Sequence, residues 1–300
     1  MNQIPVGSFQ GRAFSLLMGV DRIFLFRELF VALALVLVLT GMVFAQSPAH
    51  RNQTNLSVGQ PVSESPNSAK EKIVIGETKP LGKGQVRSWM SLDKNGNPSA
   101  IGLTFSEESL KTVPPEPPPG AEGTEVSLAL PAQAAATAFK HIGLNWNPHG
   151  HEPEKIYDTA HFDFHFYMIT EAEREGITAK GDDLVRSKKE PAAEFIPEGY
   201  IHAPNSEFAR MGSHWVNPLS KEFQGQAFNT TFIYGSYDGR LIFAEPMITR
   251  AFLETKTNIT EVIKLPAKYA RNAYYPTKYS VRYDPVTKEY TVALEGMTLR

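Results

Sequence analysis

Not one cysteine occurs among the 300 residues, which excludes disulfides, thiolate metal sites, thiol catalysis and attachment to a membrane through a lipidated cysteine. A surplus of one charge is missing as well: 30 basic side chains face 32 acidic ones, a balance that predicts no surface for nucleic acid or anionic lipid. The familiar catalytic signatures are absent, with no His-Glu-x-x-His, no Gly-x-Ser-x-Gly, no phosphate loop and no dinucleotide glycine fingerprint. Gly235-Ser236-Tyr237-Asp238-Gly239 has its serine one place early for a nucleophile elbow and reads as a hairpin turn. Long amphipathic helices and internal repeats are lacking too.

Only one long apolar run is present, Leu29 to Phe44, sixteen residues without charge. A membrane-spanning helix needs roughly 20 apolar residues, whereas a secretory core is shorter and ends on small residues before the cut. Val43 and Ala45 fit that rule. Residues 1–45 are therefore expected to be a signal peptide cleaved after Ala45, the alternative being an uncleaved N-terminal anchor, and Met18 is a candidate second start. Losing Arg12, Arg22 and Arg27 with Asp21 and Glu28 leaves 27 basic against 30 acidic groups. The expectation is an exported protein, periplasmic or extracellular, that does not contact the membrane once the leader is gone. An exported fold without disulfides must rest on its own core.

Residues 46–70 are rich in Ser, Asn, Gln and Pro and nearly devoid of large apolar side chains, the composition of a disordered linker. Residues 71–300 are expected to form a single β-rich domain, interrupted by a stiff proline-rich loop at 114–123. Strands are predicted at Gln85–Asp93 and Ser99–Phe105 around an Asn95-Gly96 turn, at Glu125–Leu130, at His161–Ile169, at Phe228–Tyr234 with Leu241–Glu245, and at Tyr279–Tyr283 with Tyr290–Leu294. Asp93-x-Asn95-x-Asn97 starts like a calcium loop, but its glycine comes early and no closing glutamate follows, so a plain turn is expected. Short helices are predicted at Pro131–Phe139, Thr170–Glu175 and Thr249–Thr255. The fold class is α+β, sheet-dominated, with antiparallel hairpins. Four Asn-x-Ser/Thr triplets, at Asn52, Asn55, Asn229 and Asn258, read as chance occurrences.

The feature that stands out is histidine. Five of the eight, His141, His149, His151, His161 and His165, fall within 25 residues. In the string His161-Phe162-Asp163-Phe164-His165-Phe166 a strand would place His161, Asp163 and His165 on one face and the three phenylalanines on the other. Imidazole and carboxylate together suit a divalent transition metal such as zinc, copper, nickel or iron. The ends of a five-residue strand lie about 13 Å apart, so His161 and His165 cannot share one ion on a straight strand. Further ligands are expected from His149 and His151 in the adjoining loop, with His214 and Glu245 as second choices. Two readings without metal stay open: a hydrogen-bonded polar network, and a metal-free acid–base site.

Trp146-Asn147-Pro148-His149-Gly150-His151-Glu152-Pro153, Tyr157, the string from His161 to Tyr167, Glu173-Arg174, Met211-Gly212-Ser213-His214-Trp215 and Glu245-Pro246-Met247 together resemble an uncharacterised family of exported bacterial proteins with a Thermus prototype, the TTHB-two-ten-like domain. The resemblance runs from about Gln85 to Arg300. It implies export, a sheet-rich fold and self-association into a homo-oligomer, and assigns no reaction. One departure is Ala160, where the family pattern has proline. The expected function is a non-catalytic or metal-binding exported domain; the rival is a metal-dependent hydrolase or oxidoreductase using the same side chains.

Overall fold

A computed structural model describes residues 71–121 and 123–300. The leader, its cleavage site, the linker, Asn52 and Asn55 lie outside the described residues. Among those described, no helix is long and apolar enough to cross a membrane.

In chain order the strands begin with β1 (Lys72–Leu81), β2 (Gly84–Leu92) and β3 (Pro98–Ser106), followed by helix α1 (Glu107–Thr112) and strand β4 (Thr124–Ala129). Next come β5 (His141–Asn147) and β6 (His161–Tyr167), the helices α2 (Glu171–Glu175) and α3 (Asp182–Ser187), and strands β7 (Ile201–His202) and β8 (Ser213–Val216). The chain continues through β9 (Thr230–Tyr237), β10 (Arg240–Thr249), α4 (Arg250–Glu254), β11 (Ile259–Val262), β12 (Tyr274–Tyr275), β13 (Lys278–Asp284), β14 (Glu289–Glu295) and β15 (Thr298–Leu299). A six-stranded sheet runs β1-β2-β3-β14-β13-β11 and a seven-stranded sheet β4-β5-β6-β10-β9-β8-β7, with β12 and β15 paired separately. Every strand pair within them is antiparallel.

Local chemistry explains the turns. Between β2 and β3 one carboxylate oxygen of Asp93 accepts from the Asn95 and Asn97 backbone N–H groups, so Asp93 serves the turn itself, as the plain-turn reading expects. Between β9 and β10 both Asp238 and Gly239 have positive φ, 49° and 78°, the backbone a two-residue hairpin turn requires. Helix α2 is opened by a capping box, in which the Thr170 hydroxyl accepts from Glu173 N–H and the Glu173 carboxylate accepts from Thr170 N–H.

The expected helix at Pro131–Phe139 is smaller than predicted: only a 3₁₀ turn, Ala132–Ala136, forms. The Thr137 hydroxyl donates back to the Ala134 carbonyl and Thr137 is extended, which ends the turn before a second one can form. Strand β6 stops at Tyr167, two residues short of prediction, because Thr170 begins the α2 cap.

The two large sheets share one apolar core. Phe162, Phe164 and Phe166 of β6 lie in it, fully buried, with Ile142, Leu144, Trp146, Phe232 and Tyr234 from the same sheet and Leu103, Phe105, Val281, Tyr290 and Val292 from the other. Phe105 packs on Phe162 at 5.9 Å and on Phe164 at 6.4 Å between ring centroids. Each buried phenylalanine contributes about 1.5–3 kcal/mol, and a one-residue slip of β6 would exchange all three for His161, Asp163 and His165. The phenylalanine stripe thus fixes which face of the sheet the polar string occupies. That second face carries two smaller apolar clusters, one around Tyr167, Tyr237 and Phe243 and one around Tyr157, Phe228 and Met247.

Candidate metal centre

Strand β6 is central, with β5 on one side and β10 on the other. Across β5, Asn147 pairs with His161, Asn145 with Asp163, Gly143 with His165 and His141 with Tyr167. Across β10, Met247 pairs with Asp163 and Phe243 with Tyr167, a register that sets Glu245 opposite His165. His161, Asp163 and His165 are all buried.

Residues 148–160 fold back over this face. Gly150 has φ +73°, and a Cβ there would sit 2.1 Å from the Tyr157 carbonyl oxygen, so the glycine between His149 and His151 is required by the turn. His151 N–H donates to that same carbonyl. The turn sends the two histidines opposite ways. His151 comes down on β6, its ring centroid 4.7 Å from that of His161. His149 is 62% exposed and pairs at 2.8 Å with Glu116 of the proline-rich loop, so it lies apart from the strand donors it was expected to join.

The described residues contain two donor groups. One ligand atom from each of His151, His161 and Asp163 lies within 4.8 Å of the others, and the same holds for His165, His214 and Glu245. The two second-choice residues thus accompany His165, while His161 and Asp163 take their third partner from the loop. In the first group His161 Nε2 is 3.0 Å from Asp163 Oδ1 and His151 Nε2 is 3.4 Å from Asp163 Oδ2. Donors 2.0–2.2 Å from a tetrahedral zinc stand about 3.4 Å apart; the His151 contact has that separation, and the His161 contact, to the other carboxylate oxygen, is as short as a direct hydrogen bond.

The proton arrangement is informative. His161 Nδ1 lies 2.6 Å from the Thr159 carbonyl and His151 Nδ1 2.7 Å from the Glu152 carbonyl. A carbonyl only accepts, so both Nδ1 atoms carry hydrogen, and each neutral ring then aims its Nε2 lone pair at a carboxylate. The Asn147 amide nitrogen, 3.4 Å from His161 Nε2, meets part of this convergence of acceptors, and a proton on imidazole or a cation would meet the rest. Backbone carbonyls holding the far nitrogen are also how metal-bound histidines are oriented. The Asn147 amide adds a donor to Asp163 Oδ2 at 2.6 Å. Sequence reasoning had Asn147 only as part of the resembling string.

Burial disfavours the charged form of Asp163, yet the His161 and His151 imidazoles beside it hold its carboxyl well below the usual range. Burial and then the Asp163 charge push Glu245 well above it. Burial takes His165 down to about 3 and His214 to about 4, so both rings are neutral near pH 7 and available as donors. His141 belongs to neither group: it stacks on Tyr167 at 4.7 Å, which in turn stacks on His165 at 5.5 Å. A cavity of about 120 Å³ near Phe139, Tyr234, Leu265 and Tyr269, and the open groove beside it, include none of the donors.

Residues 93–146 match the family described as "TTHB210-like: Hypothetical protein TTHB210". The matched stretch runs from the turn before β3 to Trp146 in β5, and both donor groups lie beyond it. No curated protein and no solved structure matches the chain.

Proposed function

We propose that this protein is an exported, non-catalytic metal-binding protein of the cell envelope or its surroundings, and that His151, His161 and Asp163 hold a divalent transition cation. Export rests on the apolar leader and its Val43–Ala45 cleavage pattern. One observation carries the metal: two imidazoles donate Nδ1–H to backbone carbonyls and bring both Nε2 atoms onto a single buried carboxylate. Two nitrogens and one oxygen of this kind suit zinc, copper, nickel or iron. Elemental analysis of protein purified without a histidine tag is expected to find stoichiometric metal, and His161→Ala to lose the share bound at this group. Metal content near zero, with no rise in melting temperature on adding zinc, copper, nickel or iron, would overturn the proposal.

A second reading, a metal-dependent hydrolase or oxidoreductase, is favoured by two features of the same group. Three protein ligands leave a coordination position for water or substrate, and His151 is 29% exposed at its solvent edge. Cobalt-substituted protein separates the two: azide changes the visible spectrum if the fourth position is open and leaves it unchanged if the shell is closed.

A further inference from the structure

We infer that His165, His214 and Glu245 form a second cation site, so that this face of the seven-stranded sheet carries two metal ions side by side. The inference rests on the metal-binding reading of the first group but draws on separate residues. The three donors come from three strands, β6, β8 and β10, which hold them independently of the 148–160 loop.

Their hydrogen bonding is incomplete. His165 is 1% exposed and Glu245 2%, yet neither ring nitrogen of His165 nor Oε2 of Glu245 makes a hydrogen bond. The contact between them is His165 Nε2 to Glu245 Oε2 at 3.4 Å, again the spacing of two ligands on one ion. Buried polar atoms are rarely left without partners, and a cation between them would satisfy the nitrogen and the oxygen together. His214 Nδ1 lies 2.8 Å from the Ser206 carbonyl and so carries hydrogen, leaving its Nε2 as the donor, as in His151 and His161.

The surroundings are shaped to bring these rings together. His214 pairs with Gly235, and Gly235 with Phe243. A Cβ on Gly235 would lie 2.0 Å from the Phe243 ring, so the glycine lets that ring lie across β9. Phe243 then meets His165 edge-on at 4.9 Å and His214 at 5.4 Å, fixing both imidazole planes. Gly143 on β5 is opposite His165, and a Cβ there would lie 3.1 Å from the Tyr167 ring, so the glycine makes way for the tyrosine that stacks on the other flank of His165 at 5.5 Å. Asp163 and His165 are alternate residues on one strand face, about 7 Å apart along it, which puts the two groups next to each other. The ligand class is the same as at the first group, a borderline divalent cation.

Apo-protein prepared with a chelator and titrated with zinc, read by native mass spectrometry, tests this. Wild type is expected to bind two equivalents, with one lost in Glu245→Gln and one lost in His214→Ala, while both variants keep the equivalent that His161→Ala removes. A wild-type stoichiometry of one, lost in His161→Ala and untouched by Glu245→Gln and His214→Ala, overturns the second site and leaves the first standing. No zinc in wild type overturns both. Should either variant fail to fold, the wild-type count together with His161→Ala still decides: one equivalent remaining in that variant supports the second site, and none overturns it.

Discussion

Asp163 is the residue on which the first donor group turns, because both of its oxygens are engaged: Oδ1 at 3.0 Å from His161, Oδ2 at 3.4 Å from His151 and 2.6 Å from the Asn147 amide. A carboxylate that only oriented a ligand would lie behind an imidazole, on its Nδ1 side, and those positions are taken by the Thr159 and Glu152 carbonyls. Asp163→Asn is therefore expected to abolish zinc at this group as completely as His161→Ala does. Loss of an orienting partner costs about 10–100-fold in affinity, so a drop confined to that range, measured by competitive titration, would move Asp163 out of the coordination shell. Much of this was legible in the sequence, since strand alternation alone puts His161, Asp163 and His165 on one face and forbids a single ion for all three. The choice between His149 and His151 was not. It depends on the positive φ of Gly150 and on how that turn meets the Tyr157 carbonyl, a contact between residues seven apart that no local pattern encodes.

Among the elements, β6 was readable because one face is continuous phenylalanine, and the hairpins β2–β3, β9–β10 and β13–β14 because their turns use Asn-Gly, Asp-Gly and Asp-Pro. Strand β5 escaped notice for the opposite reason. Its core-facing residues Ile142, Leu144 and Trp146 alternate with His141, Gly143, Asn145 and Asn147, and glycine and asparagine ordinarily mark loops. Of these residues, Asn147 reaches Asp163 and His161, and Gly143 makes way for the Tyr167 ring. Helix α2 plays a supporting part through Arg174, which is 2% exposed, pairs with Glu125 of β4 at 2.5 Å and lies 4.6 Å over the Tyr167 ring. Burial opposes the charged form of Glu125, but Arg174 holds its carboxyl below the usual range. Arg174→Ala would strand that carboxylate with only Arg210, at 2.6 Å, to face it. Removing one member of a buried pair costs about 3–5 kcal/mol, and chemical denaturation should show a loss of that order. A change under about 1 kcal/mol would mean that Arg210 replaces Arg174 fully.

On the scale of the whole described body, the shared core holds the two sheets together without assistance, whereas the outer face of the seven-stranded sheet is closed by long connections with little regular structure. The span from Asn147 to His161 has no strand or helix of its own, and the stretch from α3 to β9 contains only the short β7 and β8 and 3₁₀ turns. A cation bound by His151, His161 and Asp163 ties the first of these connections to β6, and one bound by His165, His214 and Glu245 links β8, already paired with β9 in the sheet, to β6 and β10. Metal should therefore stabilise the fold by mass action, about 2.7 kcal/mol for one site at a free concentration 100 times its dissociation constant. For a body of about 230 residues each kcal/mol moves the melting temperature by roughly 2–4 °C, so chelation is expected to lower it by about 5–11 °C per site under those conditions. Hydrogen exchange should place the change. Amides of 148–160 ought to lose protection in the apo-protein, while β2, β3 and β14, which lie in the other sheet, keep theirs. A uniform loss across both sheets would mean that the cations hold up the core as well as the cover, and an unchanged melting curve after chelation would show that the protonated network carries this face alone.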